Sequence, residues 1–397
     1  MHPPESGDPT FAPDEVARAL IATQLMALPG GKGFVSVPFG QLPYRAKGPL
    51  AGAAVVLILG ENLFETLLLN TCADEYLEEI KSTEADCPIW ERDQLPHPPF
   101  GERTPDGYLD YLTWMSRHIR LLPETENGRL RVRRMYFGQA YALPPDLPLR
   151  DPMCAYVPSQ GAKKTAFQPL GLSAEKALWR DAGSLFAFSR EKDNQRPLTF
   201  RQAAALAQDV SLPQEKTLRC AVFGLVNDQA KPLLWRQETL PLPLELLSDA
   251  ELVGKVQHAV QHAEAVGEAL DTATKALARR LLDGGDPQRK VDGRRVAALA
   301  KSLGALRDYW AALDLPFRRF LSALSSQDAE TLLTEWKTEV VATARRAFDR
   351  AADNCLNRTM RELRARVMAE QKLERALARH QPTTAESPSP AQSSVMA

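Results

Sequence analysis

His258 and His262 stand four residues apart in a helical stretch, the spacing at which two imidazoles can hold one metal ion. No third ligand accompanies them, and both fall outside the apolar stripe of Val256, Val260 and Ala263, so they read as outward-facing surface. The nearest thing to a phosphate-cradling loop is Gly31-Lys32, but Met26 occupies the place of the first glycine and Gly33 that of the Ser/Thr. GxSxG and HExxH are absent, and the six histidines do not cluster. The five cysteines, Cys72, Cys87, Cys154, Cys220 and Cys355, form no CxxC pair. Cys154 and Cys220 have no histidine near them in sequence and read as small buried hydrophobes. No catalytic residue, metal ligand or cofactor is assigned, and a binding and assembly role is expected ahead of an enzyme.

The chemistry that remains is that of charge and amides. The formal charge nearly cancels, with 49 Lys and Arg against 50 Asp and Glu, which excludes a polybasic nucleic-acid coat. Charge is regional, since residues 250–380 hold 23 Lys and Arg against 18 Asp and Glu. It gathers at Arg279 and Arg280, at Arg289 and Lys290 with Arg294 and Arg295, and along Arg345, Arg346, Arg350, Arg358, Arg361, Arg364 and Arg366. Two accounts stand side by side: a solvated, salt-bridged helix surface, or a face that tracks phosphates. A second feature is the polar stretch Asn227-Asp228-Gln229-Ala230-Lys231-Pro232 between two apolar strands. It is either an ordinary turn or a stiff finger whose amides can meet base edges.

The elements that must carry these residues follow from periodicity. A chain of 397 residues that is 44% hydrophobic has material for two or three cores. Residues 1–249 read as a mixed α/β domain. It holds a helix over 13–28, a long Gly- and Pro-dense loop carrying Lys32, Arg45 and Lys47, and a buried strand over 53–59. A helix capped by Asn62, a surface excursion over 82–106 and a short helix over 108–117 follow. Strands are expected at 118–122 and 130–137 around a loop ending in Asn127-Gly128, an irregular stretch at 146–171 and a helix capped by Ser173. A last hairpin pairs 217–226 with 233–239. Residues 250–380 read as a four-helix bundle. Its stripes are Val253 to Leu281, then Val296 to Leu324 with a kink at Pro316, then Leu333 to Ala347, then Leu356, Met360, Leu363 and Val367. Residues 381–397 read as a disordered tail. The fold class expected is α+β, with β-hairpins in the first domain and an all-α second. The longest apolar run is far short of a bilayer span and the N terminus has no signal-like segment, so a soluble protein of a reducing, cytoplasmic compartment without membrane contact is expected.

Several blocks carry a family likeness. The run PLAGAAVVLILGENLFETLLLN (49–70) resembles the CasA family, the large subunit of the type I-E CRISPR surveillance complex Cascade. DYLTWMSRHIRL (110–121), RDPM (150–153), KALWR (176–180) and YWAALDLPFRR (309–319) agree with it in the same order.

The resemblance implies a subunit that reads a short protospacer-adjacent motif on duplex DNA, opens the duplex so that guide RNA can pair, holds displaced DNA along the basic bundle and helps recruit a helicase-nuclease. Its partners would be the other Cascade subunits with their guide RNA and the double-stranded target. In the family the opening wedge is a hairpin with an Asn-Gln tip. The matching positions here are Asn227, Asp228 and Gln229, with Lys231 beside them, so a carboxylate replaces one amide. The family's neighbouring loop is glycine-rich. The segment around Gly40 and Gln41, with Lys32, Arg45 and Lys47 about it, has a single glycine between 37 and 45, which implies altered or relaxed motif reading. Family members also carry a further segment ahead of the first helix, which leaves a compact variant, a split subunit or a different start open. An enzyme with a non-standard site and a protein-binding scaffold are the other classes considered.

Overall fold

The computed structural model describes residues 10–381 apart from 30–33, 38–39, 44–46, 73–80, 99–100, 145–146, 148–149, 160–166, 189–194, 210–215, 229, 285, 287 and 356–358. The chain forms two compact units, Met1–Ala250 and Glu251–Ala397. The tail expected at 381–397 lies, beyond residue 381, outside the described residues.

The first unit runs through α1 (Pro13–Met26), β1 (Phe34–Val37), β2 (Gly40–Pro43), β3 (Val55–Leu59), α2 (Leu63–Asn70), β4 (Gly101–Glu102), α3 (Tyr108–Leu112), β5 (Arg117–Glu126) and β6 (Arg129–Gln139). It continues with β7 (Tyr141–Ala142), β8 (Tyr156–Pro158), β9 (Phe167–Pro169), α4 (Ala182–Leu185), α5 (Leu198–Asp209), β10 (Thr217–Asp228) and β11 (Lys231–Pro243). The second unit is helical: α6 (Ala250–Leu282), α7 (Gly293–Leu303), α8 (Ala305–Ala323), α9 (Ala329–Cys355) and α10 (Met360–Leu377).

The central sheet of the first unit is antiparallel with the order β11-β10-β3. Among the described residues no further strand lies on the outer edge of β3, yet its alternate amides are all used. Ala54 N–H donates to Leu170 O at 2.7 Å, Val56 N–H to Met153 O at 2.8 Å, Ile58 N–H to Asn70 Oδ1 at 2.9 Å and Gly60 N–H to Thr66 Oγ1 at 3.0 Å. Asn70 also donates from Nδ2 to Ile58 O at 2.7 Å, so its side-chain amide stands in for a neighbouring peptide. The cap expected at Asn62 is formed, with Asn62 Oδ1 accepting from Glu65 N–H at 2.9 Å. Leu63, Phe64, Leu67 and Leu68 of α2 remain exposed.

Several local expectations are corrected. The Gly- and Pro-dense loop contains a hairpin, paired from Phe34↔Pro43 to Val37↔Gly40, because alternating Val35 and Val37 suit a strand despite the flanking breakers. The helix expected over 108–117 ends at Leu112, since Trp114 is drawn into the core and Arg117 already belongs to β5. The β5–β6 connection is the two residues Asn127 and Gly128, with φ of 51° and 72°, not a longer loop, because Asn-Gly adopts the left-handed backbone of a tight turn and the ladder runs on to Glu126↔Arg129. Within 146–171, β8 and β9 pair antiparallel. After Ser173 the chain is extended at Ala177 and makes only a 3-10 turn (Leu178–Asp181) before α4. A tertiary bond decides this, as Leu178 N–H donates to the Glu238 carboxylate at 3.1 Å.

Charge is buried as well as carbon. Asp110 is fully enclosed and takes Nη1 and Nη2 of Arg103 at 2.6 and 2.7 Å, the Asp106 N–H at 3.0 Å and Arg92 at 3.4 Å. Burial alone would raise its pKa; the hydrogen bonds from Arg103 and the Asp106 amide, with the charges of Arg103 and Arg92, outweigh it and hold the carboxyl below its ordinary range. Asp151 is also buried, but among the described residues no cation pairs with it. Its oxygens accept from Met153 N–H at 2.9 Å and Tyr111 O–H at 3.3 Å, and burial pushes its pKa up. Cys154 and Cys220 are buried, as expected for small hydrophobes.

In the second unit, buried aromatics lock helices onto α6. Tyr309 Oη donates to Ala263 O at 2.8 Å and Trp336 Nε1 to Ala259 O at 2.9 Å. The second expected helix is two helices. The break falls at Gly304, whose φ of 77° ends α7, while α8 runs on through Pro316, so glycine interrupts where proline was expected to. The stripe expected on the last helix is corrected: α10 buries Ala365, Ala369, Leu373 and Leu377 and leaves Met360, Leu363 and Val367 exposed. Small alanines let helices approach closely, and a scale that weighs size overlooks them. His262 is also corrected. Half-buried rather than outward, it holds Nε2 at 2.9 Å from His380 O with the two rings edge to face, and burial lowers its pKa. His258 is exposed.

Candidate nucleic-acid interface

The finger is the far end of β10–β11. Its stem is anchored by buried Leu218, Cys220, Val222, Leu240 and Leu242, and the ladder continues through Leu225↔Trp235 to Asp228↔Lys231. Both strands therefore reach nearer the tip than their apolar runs suggested. The register shifts between Val226 and Asn227, opposite Pro232, which has no amide to give the ladder. Asp228, Ala230 and Lys231 are exposed at the apex, and Gln229 lies outside the described residues. Asn227 is half-buried. It faces the Gly52 turn, where φ is 78° and a β-carbon would stand 3.3 Å from Asn227 Oδ1.

The loop residues divide. Gly40 and Gln41 sit in β2 opposite Val37 and Ser36, while Lys32 and Arg45 lie outside the described residues. Lys47 is exposed at the C-terminal end of α1. There Gly48 N–H donates to Ala27 O at 2.7 Å and Leu50 N–H to Leu25 O at 2.9 Å, closing carbonyls the helix leaves open. A β-carbon on Gly48 would fall 2.4 Å from Leu25 O, so only glycine allows this approach.

The basic clusters of the bundle have different fates. Arg345 is gripped by Glu374 at 2.8 Å through two nitrogens, Arg346 by Glu339 at 2.6 Å, and Arg366 by Asp349 at 3.1 Å and by Asp353. That group is the salt-bridged surface. The cluster around the α6–α7 connection is not. Arg289, Lys290, Arg294 and Arg295 are exposed and make no ion pair among the described residues; Arg279 is exposed too, and Arg280 reaches Asp283 only at 3.5 Å. Gly284, with φ of 77°, lies against two guanidiniums, since a β-carbon there would stand 2.6 Å from Arg361 Nη2 and 3.2 Å from Arg289 Nη1. Arg361, grouped by sequence with the α10 arginines, thus joins the α6–α7 cluster. Only the fold brings these positions together.

Among the described residues no group of three or more His, Cys, Asp and Glu is placed to hold a metal, and no helix is long and apolar enough to cross a membrane. The sequence model of the CRISPR-associated protein Cse1 family matches residues 2–347. The chain belongs to the Cse1 family. A CasA/Cse1 protein of Thermus thermophilus is 31% identical to this Cse1-family chain over 388 residues, 95% of this chain and 71% of that protein. The crystal structure of Thermus thermophilus CasA superposes with a TM-score of 0.76 at 28% identity, covering 95% of this chain and 74% of that one. Cse1 from Acidimicrobium ferrooxidans gives 0.75 at 26% identity, covering 96% and 74%. A chain of a CRISPR RNA-guided surveillance complex shares the fold, with a TM-score of 0.65 at 23% identity over 92% of this chain and 69% of that one. The α+β class expected for this Cse1-family chain agrees with these structures.

Proposed function

We propose that this chain is the large subunit of a type I-E CRISPR Cascade complex, where it reads a protospacer-adjacent motif on duplex DNA and starts strand opening. The observation that carries the reading is Cse1-family membership over nearly the whole chain. The exposed hairpin apex at Asp228 and Lys231 on a buried stem supports it. Guide pairing exchanges one duplex for another at nearly balanced energy, so the protein needs only to begin the opening and hold the products. In this reading the β10–β11 apex, with Asn227, Asp228, Gln229 and Lys231, is the wedge. The segment from Lys32 to Lys47, including Gly40, Gln41 and Arg45, would act as the neighbouring loop. The unpaired cations Arg289, Lys290, Arg294 and Arg295, with Arg279 and Arg280, hold displaced DNA through its phosphates. Residues 1–249 would dock onto the other Cascade subunits and guide RNA, and the assembled surface would recruit a helicase-nuclease in the cytoplasm. No catalytic group, metal or cofactor is required.

The test is co-purification with the other Cascade subunits and a guide RNA, followed by binding to target duplexes with randomised flanking bases. Incorporation together with a selected flanking motif, lost in Gln229→Ala, is the expected result. A chain that does not join the complex, or that hydrolyses a substrate by itself, would overturn the reading.

A further inference from the structure

The β5–β6 hairpin carries chemistry that the wedge and bundle do not use. Residues 117–139 contain six arginines against two glutamates. The register places Arg120 opposite Tyr136, Glu124 opposite Arg131 and Glu126 opposite Arg129, and the period of two along β5, with the extra residue that the register shift at Leu122/Pro123 inserts in β6, puts these pairs on one face. The glutamates are engaged elsewhere, Glu124 with Arg134 at 2.6 Å and Glu126 with Arg133 at 3.9 Å. Arg120, Arg129 and Arg131 consequently make no ion pair among the described residues. Tyr136, opposite Arg120, is 66% exposed, with Arg131 and Arg129 further along the same face toward the turn. Free guanidiniums beside an uncovered aromatic ring are the parts of a single-strand platform, where cations follow the backbone and the ring stacks a base.

The hairpin also neighbours the wedge. Phe137, the residue after Tyr136, lines a cleft of about 690 Å3 together with Ala230 and Pro232 at the β10–β11 tip and Trp235 on its stem. Phe137 points to the face opposite Tyr136, so a strand parted at the tip reaches the arginine face by passing around the edge of the hairpin.

We infer that the Arg120, Arg129, Arg131 and Tyr136 face of the β5–β6 hairpin binds single-stranded DNA delivered from the neighbouring wedge. The inference rests on the duplex-opening reading above for the source of the strand. Charge complementarity favours a polyanion over an apolar partner, and the exposed ring favours unstacked bases over a closed duplex.

The experiment is fluorescence anisotropy of the full chain with a short oligothymidylate, and in separate arms with oligouridylate and polyglutamate, across a series of salt concentrations. Arg120→Ala, Arg129→Ala and Arg131→Ala together should weaken DNA binding about tenfold and flatten the logarithmic salt slope by about 2. Tyr136→Ala should weaken it about tenfold with the slope unchanged, and Tyr136→Phe should bind as the parent does. Thermal melts check that the variants fold; if the triple variant melts early, the two Tyr136 variants decide. Unchanged affinity in the variants, or tight binding of oligouridylate or polyglutamate but not of oligothymidylate, would overturn the assignment. Duplex opening by the assembled complex is scored separately. Normal opening with hairpin variants that bind DNA as the parent does sinks this inference alone. No opening, with binding still lost in the variants, sinks the wedge reading and leaves the hairpin site standing.

Discussion

Arg103 chelates both oxygens of Asp110, at 2.6 and 2.7 Å, while the rings of Trp114 and Tyr141 lie 4.3 and 4.7 Å from its guanidinium carbon. A planar fork suits both partners, giving two parallel hydrogen bonds and two aromatic faces. Asp110→Ala leaves Arg103 enclosed without its counter-charge and should destabilise the chain by about 3–5 kcal/mol, read from denaturant midpoints. Since the folded pKa of Asp110 is depressed, its stabilisation is present above the unfolded value of about 4 and disappears as pH falls through the folded one. The variant should therefore lose less stability than the parent on acidification below about pH 4.

Asp151 slopes the other way. Burial raises its folded pKa, so the native state binds more protons and stability falls as pH rises from about 4 through that folded value. Asp151→Asn removes the ionisation and keeps the shape. Its thermal midpoint should exceed the parent's at neutral pH and meet it near pH 4; equal midpoints at neutral pH would contradict this.

Gly304→Ala places a β-carbon at a φ of 77°. Left-handed backbone costs such a residue about 1–2 kcal/mol, and chemical denaturation should show a loss of that size. Pro316→Ala, inside α8, should instead leave the helix break where it is.

At the proposed wedge, Asp228→Asn exchanges a carboxylate that phosphates repel for an amide that can donate to a base. One added hydrogen bond of about 1 kcal/mol predicts strand opening about fivefold faster, measured by the fluorescence of a base analogue beside the motif. No change in rate would mean that the carboxylate does not face the DNA.

Arg294→Ala with Arg295→Ala should weaken DNA binding on every sequence and reduce the salt slope by about 2. Arg345→Ala is the contrasting case. Its guanidinium is already neutralised by Glu374, so the slope should stay and only about 0.5 kcal/mol of stability should go.

The elements with a strong period were legible in the sequence: the β10–β11 hairpin and the long helices α6 and α9 stand where alternation and three-four spacing put them, while the break at Gly304 and the alanine stripe of α10 were not. What escaped is decided by partners distant in sequence. The Leu178–Glu238 bond extends a segment whose local residues favour helix, and pairing with β6 through Glu126↔Arg129 makes strand of a loop-like stretch. The family blocks mark the core: Asp110, Trp114, Arg117, Asp151, Trp179 and Tyr309 are all buried. They reveal ancestry through packing and say little about the surface. At the candidate interface, net charge could be counted, but which arginines are neutralised could not, because Arg345 and Glu374 meet only when α9 and α10 do.

The dressing of β3 has a wider meaning. With the amides of Ala54, Val56, Ile58 and Gly60 each satisfied by a loop carbonyl or a side chain, that margin of the sheet offers no template on which a foreign strand could grow. A neighbouring protein cannot attach there by backbone pairing and must recognise side chains instead. Leu63, Phe64, Leu67 and Leu68 stand exposed on the helix that carries Asn70, which seals the strand, and are side chains it could use.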